Sequence, residues 1–140
     1  MAESMKYIVY TDGGSRGNPG PSASAYLIID QHQSVLAEGG KYIGVGSNNQ
    51  AEYNAVLLAL TKLGEIAAGP VVAECRIDSL LVVNELNGTY KIRNRELWPV
   101  HEQILSLVER LGRVTFVHIP REMNTAADAH VNKILDDNIT

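Results

Sequence analysis

The sequence predicts an α/β protein in which a five-stranded mixed sheet, three antiparallel strands followed by two parallel ones, is flanked by helices. Strand-like apolar stretches separated by turn residues fill the first third of the chain. From Ser47 onward, long stretches of helical apolar period alternate with short β-rich ones, which implies right-handed crossovers onto the same sheet. At 140 residues, the chain fits one domain, expected over 1 to 140, and leaves no room for a second core.

Each element has its own signal. "KYIVYTD" (6 to 12), "SASAYLIID" (22 to 30) and "SVLAEGGKYIG" (34 to 44) read as an antiparallel meander, with turns at Asn18-Pro19-Gly20 and between Asp30 and Gln33. "SNNQAEYNAVLLALTKLGEIAAG" opens with polar cap candidates, carries a long apolar stripe and stops at Gly69-Pro70, so it is a helix. "VVAECRID" (71 to 78) returns to a strand, and "SLLVVNEL" is a short helix ending at Asn87-Gly88. "RELWPVHEQILSLVERLG" forms one helix or two, with Pro99 in a first turn, where its missing N–H does no harm. "RVTFVHI" is the last strand, Pro120 breaks it, and "NTAADAHVNKILDDN" is a final amphipathic helix capped by Asn124 or Thr125.

Composition bounds the function. With 45% apolar and 20% charged residues and no run long enough to span a bilayer or form a signal-peptide core, the expectation is a soluble, unexported, cytoplasmic protein with no membrane partner. The single Cys75, set among apolar neighbours, reads as a small buried hydrophobe. A net charge of −4 argues against a broadly basic nucleic-acid surface, but leaves room for a local basic strip or for recruited cations.

The carboxylates break the apolar pattern. Glu52 heads the stripe of Ala55, Val56, Ala59, Leu60 and Leu63 at a position that calls for an apolar side chain, and Asp128 shares a face with Val131 and Leu135. Asp12 ends or nearly ends the first strand and Asp78 ends the fourth, where the carboxyl ends of strands open onto a ligand crevice. Taken singly, each has an ordinary reading as a helix cap, a helix-dipole partner or a turn residue. Taken together, four half-buried carboxylates repel one another unless protonated or neutralised by cations. Oxygen-only ligands suit Mg²⁺ or Mn²⁺, whereas zinc would call for Cys or His, and "HEQIL" lacks the second histidine of a zinc helix. "DGGSRGNPG" fits neither a P-loop nor an EF-hand.

At this point the residues resemble the type 1 ribonuclease H family. The resemblance runs through "YTDGGSRGNPGPSASAYLI", "SNNQAEYNAVLLAL", "IDSLLVVNELNG" and "HIPREMNTAADAHVNKIL", in order and over nearly the whole chain. It implies the ribonuclease H-like fold and a two-metal endonuclease that cuts the RNA strand of an RNA/DNA hybrid, leaving 5′-phosphate and 3′-hydroxyl ends. The implied metal set is Asp12, Glu52, Asp78 and Asp128, holding two Mg²⁺ ions with Mn²⁺ able to substitute. Gly13 and Gly14 are expected to leave room for the nucleic-acid backbone. Asn18, Asn48 and Gln50 resemble residues that meet the hybrid minor groove, where 2′-hydroxyls distinguish RNA from DNA. Ser47 and Asn84 resemble a pocket for a phosphate of the DNA strand, with plain readings as a helix cap and an exposed helix residue standing second.

Two departures stand out from the best-studied members. The stretch between Leu86 and Leu97 is too short for the basic protrusion some members use, leaving Lys91, Arg93 and Arg95 as a basic cluster. Where those members have a glycine-rich loop with a mobile histidine, this chain has "HIPREMN", as in shorter archaeal-type and some bacterial members. The residue that assists product release is then open between His118, whose strand context suggests a packed core histidine, and Arg121, on the loop after Pro120, the candidate to face the scissile phosphate. His32, His101 and His130 read as solvated. The partner expected is an RNA/DNA hybrid, with double-stranded RNA left open as a further substrate, and the expected state is a monomer. The alternatives are a resolvase- or integrase-type nuclease of the same architecture, or a non-catalytic hybrid-binding module, which should have lost an acidic ligand.

Overall fold

In the computed structural model, which describes residues 5 to 139, β1 (Met5–Ser15), β2 (Gly20–Asp30) and β3 (Val35–Gly46) are followed by α1 (Asn48–Ile66) and β4 (Val71–Ile77). Then come α2 (Leu80–Leu86), α3 (Trp98–Leu111), β5 (Gly112–His118) and α4 (Thr125–Asn138). Single 3₁₀ turns occupy Arg95–Leu97 and Arg121–Met123. The ends of the domain expected over 1 to 140 lie outside the described residues. The strands line up as β3-β2-β1-β4-β5, with β1, β2 and β3 antiparallel and β4 and β5 parallel to β1, as the sequence predicts.

β1 runs further than its apolar pattern predicts. Its pairing with β2 continues through Gly13 and Gly14 to Ser15↔Ser22, so these glycines are strand residues and the turn lies beyond them. Its parallel pairing with β4 stops at Thr11↔Ile77. Asp12 is therefore inside a strand, at the first position where one side of β1 has lost its neighbour. That is the opening the ligand crevice needs.

Helices cover the sheet unequally. Along one face, α1 buries Val56, Leu60 and Leu63 against Val9, Ile28, Ala73, Cys75 and Ile77. On the other, α4 sets Val131 and Leu135 on Ala23 and Ala25 of β2. Small residues in the strands allow both helices to come close. A Cβ on Gly13 would lie 2.2 Å from the carbonyl carbon of Ala51, and Ser24 Oγ donates to the Ala51 carbonyl at 2.6 Å. Cys75 is fully buried, and burial pushes its thiol up to about 12, so it is an inert core side chain.

The helix caps fall partly where expected. Ser47 caps α1 in a reciprocal box with Gln50: Ser47 Oγ accepts from the Gln50 N–H at 3.1 Å, and Gln50 Oε1 accepts from the Ser47 N–H at 2.8 Å. Pro99 sits in the first turn of α3, and a 3₁₀ turn precedes it, which resolves the choice between one helix and two. Asn124 occupies the cap position of α4, but its side chain makes no capping bond. It turns inward instead, toward β1 and β4.

Candidate active site

Asp12, Glu52 and Asp78 come from three different elements, and each is placed by its neighbours in the chain. Asp12 is fixed by the β1 ladder, Glu52 lies in the first turns of α1 with the capping box behind it, and Asp78 is the first residue after β4. Ser79 then starts α2, its Oγ accepting from the Val82 N–H at 3.3 Å, so Asp78 itself is free of cap duty. One carboxylate oxygen of each of the three lies within 4.8 Å of the others, and this is a metal-sized cluster among the described residues. Asp128, in the first turn of α4, lines the same cleft and acts electrostatically on Asp12, yet stands outside the close group.

The cleft has a volume of about 490 Å³ and is lined by Asp12, Gly13, Gly14, Asn48, Glu52, Asp78, Arg121 and Asp128, among others. Its floor resists ionisation. Burial pushes the Asp12 carboxyl up to about 7, with Asp78 and Asp128 adding repulsion. Burial also holds Glu52 well above the usual carboxylate range, with Asp12 and Asp78 adding to it. Glu52 Oε2 is buried without a hydrogen-bond partner, an acceptor that a cation would satisfy. An all-oxygen donor set with an orphaned lone pair fits a hard divalent ion.

The remaining residues predicted from sequence separate into those at the cleft and those away from it. Asn18 and Asn48 interlock the β1–β2 turn with the start of α1: Asn18 Oδ1 accepts from the Asn48 N–H at 3.1 Å, and Asn48 Oδ1 accepts from the Ser15 N–H at 2.9 Å. Gln50 uses Oε1 in the capping box and donates through Nε2 to Glu96 at 3.2 Å. Ser47 is occupied as that cap, and Asn84 is half-buried on α2; neither lines the cleft. Arg121 does line it, exposed on the 3₁₀ turn. His118 does not: it is exposed at the end of the edge strand β5, where nothing covers it, so it is not the core histidine its strand context suggested. Gly13 lines the cleft, and its missing side chain also makes room for the α1 backbone on which it packs.

The structure adds residues that single-residue reasoning passed over. Arg16 lines the cleft while pairing with Asp136 of α4 at 2.6 Å. Asn49 borders both the cleft and a neighbouring groove that contains Lys91, Arg93 and Asn94. Asn124 is 1% exposed and reaches Asp78. Polar side chains in mixed polar stretches give no periodic signal, and the partners of Arg16 and Asn124 lie far away in sequence.

Comparison with known proteins places this arrangement. Residues 10–134 match a family model described as reverse transcriptase-like. The chain is 37% identical to ribonuclease HI of Halobacterium salinarum over 91% of its own length and 63% of that protein's. It is 35% identical to a bifunctional protein of Mycobacterium tuberculosis, over 94% of this chain and 36% of that one. It thus spans about a third to somewhat under two thirds of the length of these relatives. Among solved structures, LC11-RNase H1 in complex with an RNA/DNA hybrid superposes with a TM-score of 0.92 at 39% identity, covering 96% of this chain and 99% of that one. With the fold, the acidic cleft and these matches in agreement, the chain belongs to the type 1 ribonuclease H family.

Proposed function

We propose that this chain is a divalent-metal-dependent endonuclease that hydrolyses the RNA strand of RNA/DNA hybrids, leaving 5′-phosphate and 3′-hydroxyl ends. The observation that carries the reading is the trio Asp12, Glu52 and Asp78, held within 4.8 Å on the floor of an open polar cleft. The likeness to LC11-RNase H1, solved with a hybrid bound, supports the substrate class.

Asp12, Glu52, Asp78 and Asp128 would hold two Mg²⁺ ions, with Mn²⁺ able to substitute. When bound, such ions activate a water for in-line attack and stabilise the leaving 3′ oxygen. The residues around them bind and orient. Asn18 and Asn48 engage their Oδ1 atoms with backbone amides, and their NH₂ groups are the donors offered to 2′-hydroxyls in the minor groove. Gln50 spends one Nε2 hydrogen on Glu96 and has the other to join them. Gly14, whose added Cβ would meet only Val131 at 3.5 Å, is the position open to the nucleic-acid backbone. Arg121, on the lip of the cleft, is the donor suited to the scissile phosphate, ahead of His118. Ser47 and Asn84 are proposed for a phosphate of the DNA strand. Exposed Lys91 and Arg93 extend the phosphate-binding surface along their groove, with affinity that falls steeply with salt.

The described residues act in this reading as one monomeric domain in the cytoplasm, a placement supported by its single, buried, unpaired cysteine. None of the described helices is long and apolar enough to cross a membrane. Recognition through 2′-hydroxyls and A-like shape extends to double-stranded RNA as a slower substrate. A panel of end-labelled hybrid, double-stranded RNA, double-stranded DNA and a four-way junction tests the reading. The expected result is cutting of the RNA strand of the hybrid, with weaker cutting of double-stranded RNA. Preference for the junction would mark a resolvase, and hybrid binding without cleavage would mark a binding module; either overturns the proposal.

A further inference from the structure

Asn124 makes an unusual choice for a residue at a helix start. It stands where a side-chain oxygen ordinarily accepts from the first free N–H groups of the helix, yet its side chain makes no such bond and is buried to 1% exposure. Its Nδ2 donates both hydrogens inward, to the Thr11 carbonyl at 2.8 Å and to Asp78 Oδ2 at 3.1 Å. The two acceptors fix which end of the amide is nitrogen. Its Oδ1 is left buried and without a partner, an unfavourable placement accepted for the sake of the two donor bonds.

These bonds join the end of β1, the residue after β4 and the start of α4 in space. Thr11 precedes Asp12 on β1, and Asp78 follows β4 at the point where β1 and β4 part. The backbone around Asn124 is docked on the same spot, since the Ile119 N–H donates to the Ile77 carbonyl at 2.9 Å. Asn124 also begins α4: its carbonyl accepts from the Asp128 N–H at 3.1 Å, one helical turn on, so the amide and that carboxylate share a helix face. One buried amide thereby ties the elements that carry Asp12, Asp78 and Asp128. We infer that Asn124 is a positioning residue that orients Asp78 and docks the first turn of α4 against the end of β1, setting the spacing in which the carboxylates receive divalent ions. The role requires two donors pointing in different directions and no negative charge. Ser offers one donor, Ala none, and Asp would add a fifth carboxylate to the cleft.

The inference rests on the metal-dependent reading above, and the test separates the two. Mg²⁺ and Mn²⁺ binding to the substrate-free protein is measured by calorimetry for wild type, Asn124→Ser and Asn124→Ala. Leu63→Ala, which opens a cavity in the core of α1, serves as a control for general loss of stability. Partners that orient metal ligands typically govern affinity by about 10- to 100-fold. The expected result is a loss of that order in Asn124→Ala, a smaller loss in Asn124→Ser, and none in Leu63→Ala. Hybrid cleavage should show a lower kcat with KM unchanged, partly restored by raising the metal concentration. Should Asn124→Ala not fold, the same comparison is made on Asn124→Ser alone. Wild-type metal affinity in a folded Asn124 variant with reduced thermal stability would make Asn124 a structural residue only and overturn the inference, while leaving the metal-dependent reading intact. Failure of the wild type itself to bind either ion would overturn both.

Discussion

Replacing Asp12 by Asn should abolish cleavage and yet stabilise the metal-free protein. Burial, reinforced by Asp78 and Asp128, raises the Asp12 carboxyl from its ordinary 3.8 to about 7. At about 1.4 kcal/mol per pH unit, that rise sets a ceiling of roughly 4 kcal/mol on the penalty for ionising it in the folded chain. The folded state holds this proton more tightly than the unfolded chain, so stability falls as pH climbs from 3.8 to about 7 and the full penalty applies above that. An amide carries no charge and escapes the penalty; it also relieves Glu52, which Asp12 helps to push upward. Solvent and side-chain relaxation in the open cleft discount that ceiling, which leaves a net gain of about 2–3 kcal/mol. At roughly 3 °C per kcal/mol for a chain of this length, the variant should melt about 6–9 °C above wild type in EDTA under slightly alkaline conditions. The gap should close in acid near the ordinary carboxylate pKa. Free Mg²⁺ at about ten times its dissociation constant should add roughly 1.4 kcal/mol to the wild type and less to the variant. Scanning calorimetry in EDTA and in Mg²⁺ measures all of this. An Asp12→Asn protein melting at or below wild type in alkaline EDTA would refute the repulsive cluster and leave Asp12 a structural strand residue.

Other substitutions separate packing from substrate contact. Gly13→Ala should disrupt the structure, because its Cβ would sit 2.2–2.4 Å from the backbone of Ala51 and Glu52, and circular dichroism should register a large loss of stability. Gly14→Ala meets only Val131 at 3.5 Å, so it should fold normally, with any loss confined to the KM for hybrid. Tyr53→Phe removes the 2.8 Å bond to the buried Glu85 carboxylate and should cost about 1–3 kcal/mol in urea denaturation, with kcat unchanged. Ser47→Ala breaks the α1 capping box and should cost about 1 kcal/mol by the same measurement.

What could be read from the sequence followed from local physics. The β-run patterns, the Gly69-Pro70 stop and the apolar stripe of α1 gave the element order, and Glu52 and Asp128 stood out because charge interrupted a period. The end of β1 was misjudged because glycines signal turns locally, whereas here Gly13 is required by the backbone of α1, a contact between residues far apart in the chain. His118 looked buried because strand pattern says nothing of which strand lies at the edge. Asn124 read as a cap since Asn before a helix ordinarily is one; its inward turn depends on β1 and β4 ending side by side. Likewise Gln50 and Ser47 gave signals suited to substrate contact, and in the fold they bond first to each other.

In the proposed function, the acidic cleft cuts RNA through bound divalent ions. It is tested most directly by cleavage of an RNA/DNA hybrid, with the RNA labelled in turn at each end, in Mg²⁺ and in EDTA. Internal cuts in the RNA strand alone, products bearing 5′-phosphate and 3′-hydroxyl ends, and no products in EDTA until Mg²⁺ is restored are expected. Cleavage undiminished in EDTA, or products ending in a cyclic or 3′-phosphate, would contradict it.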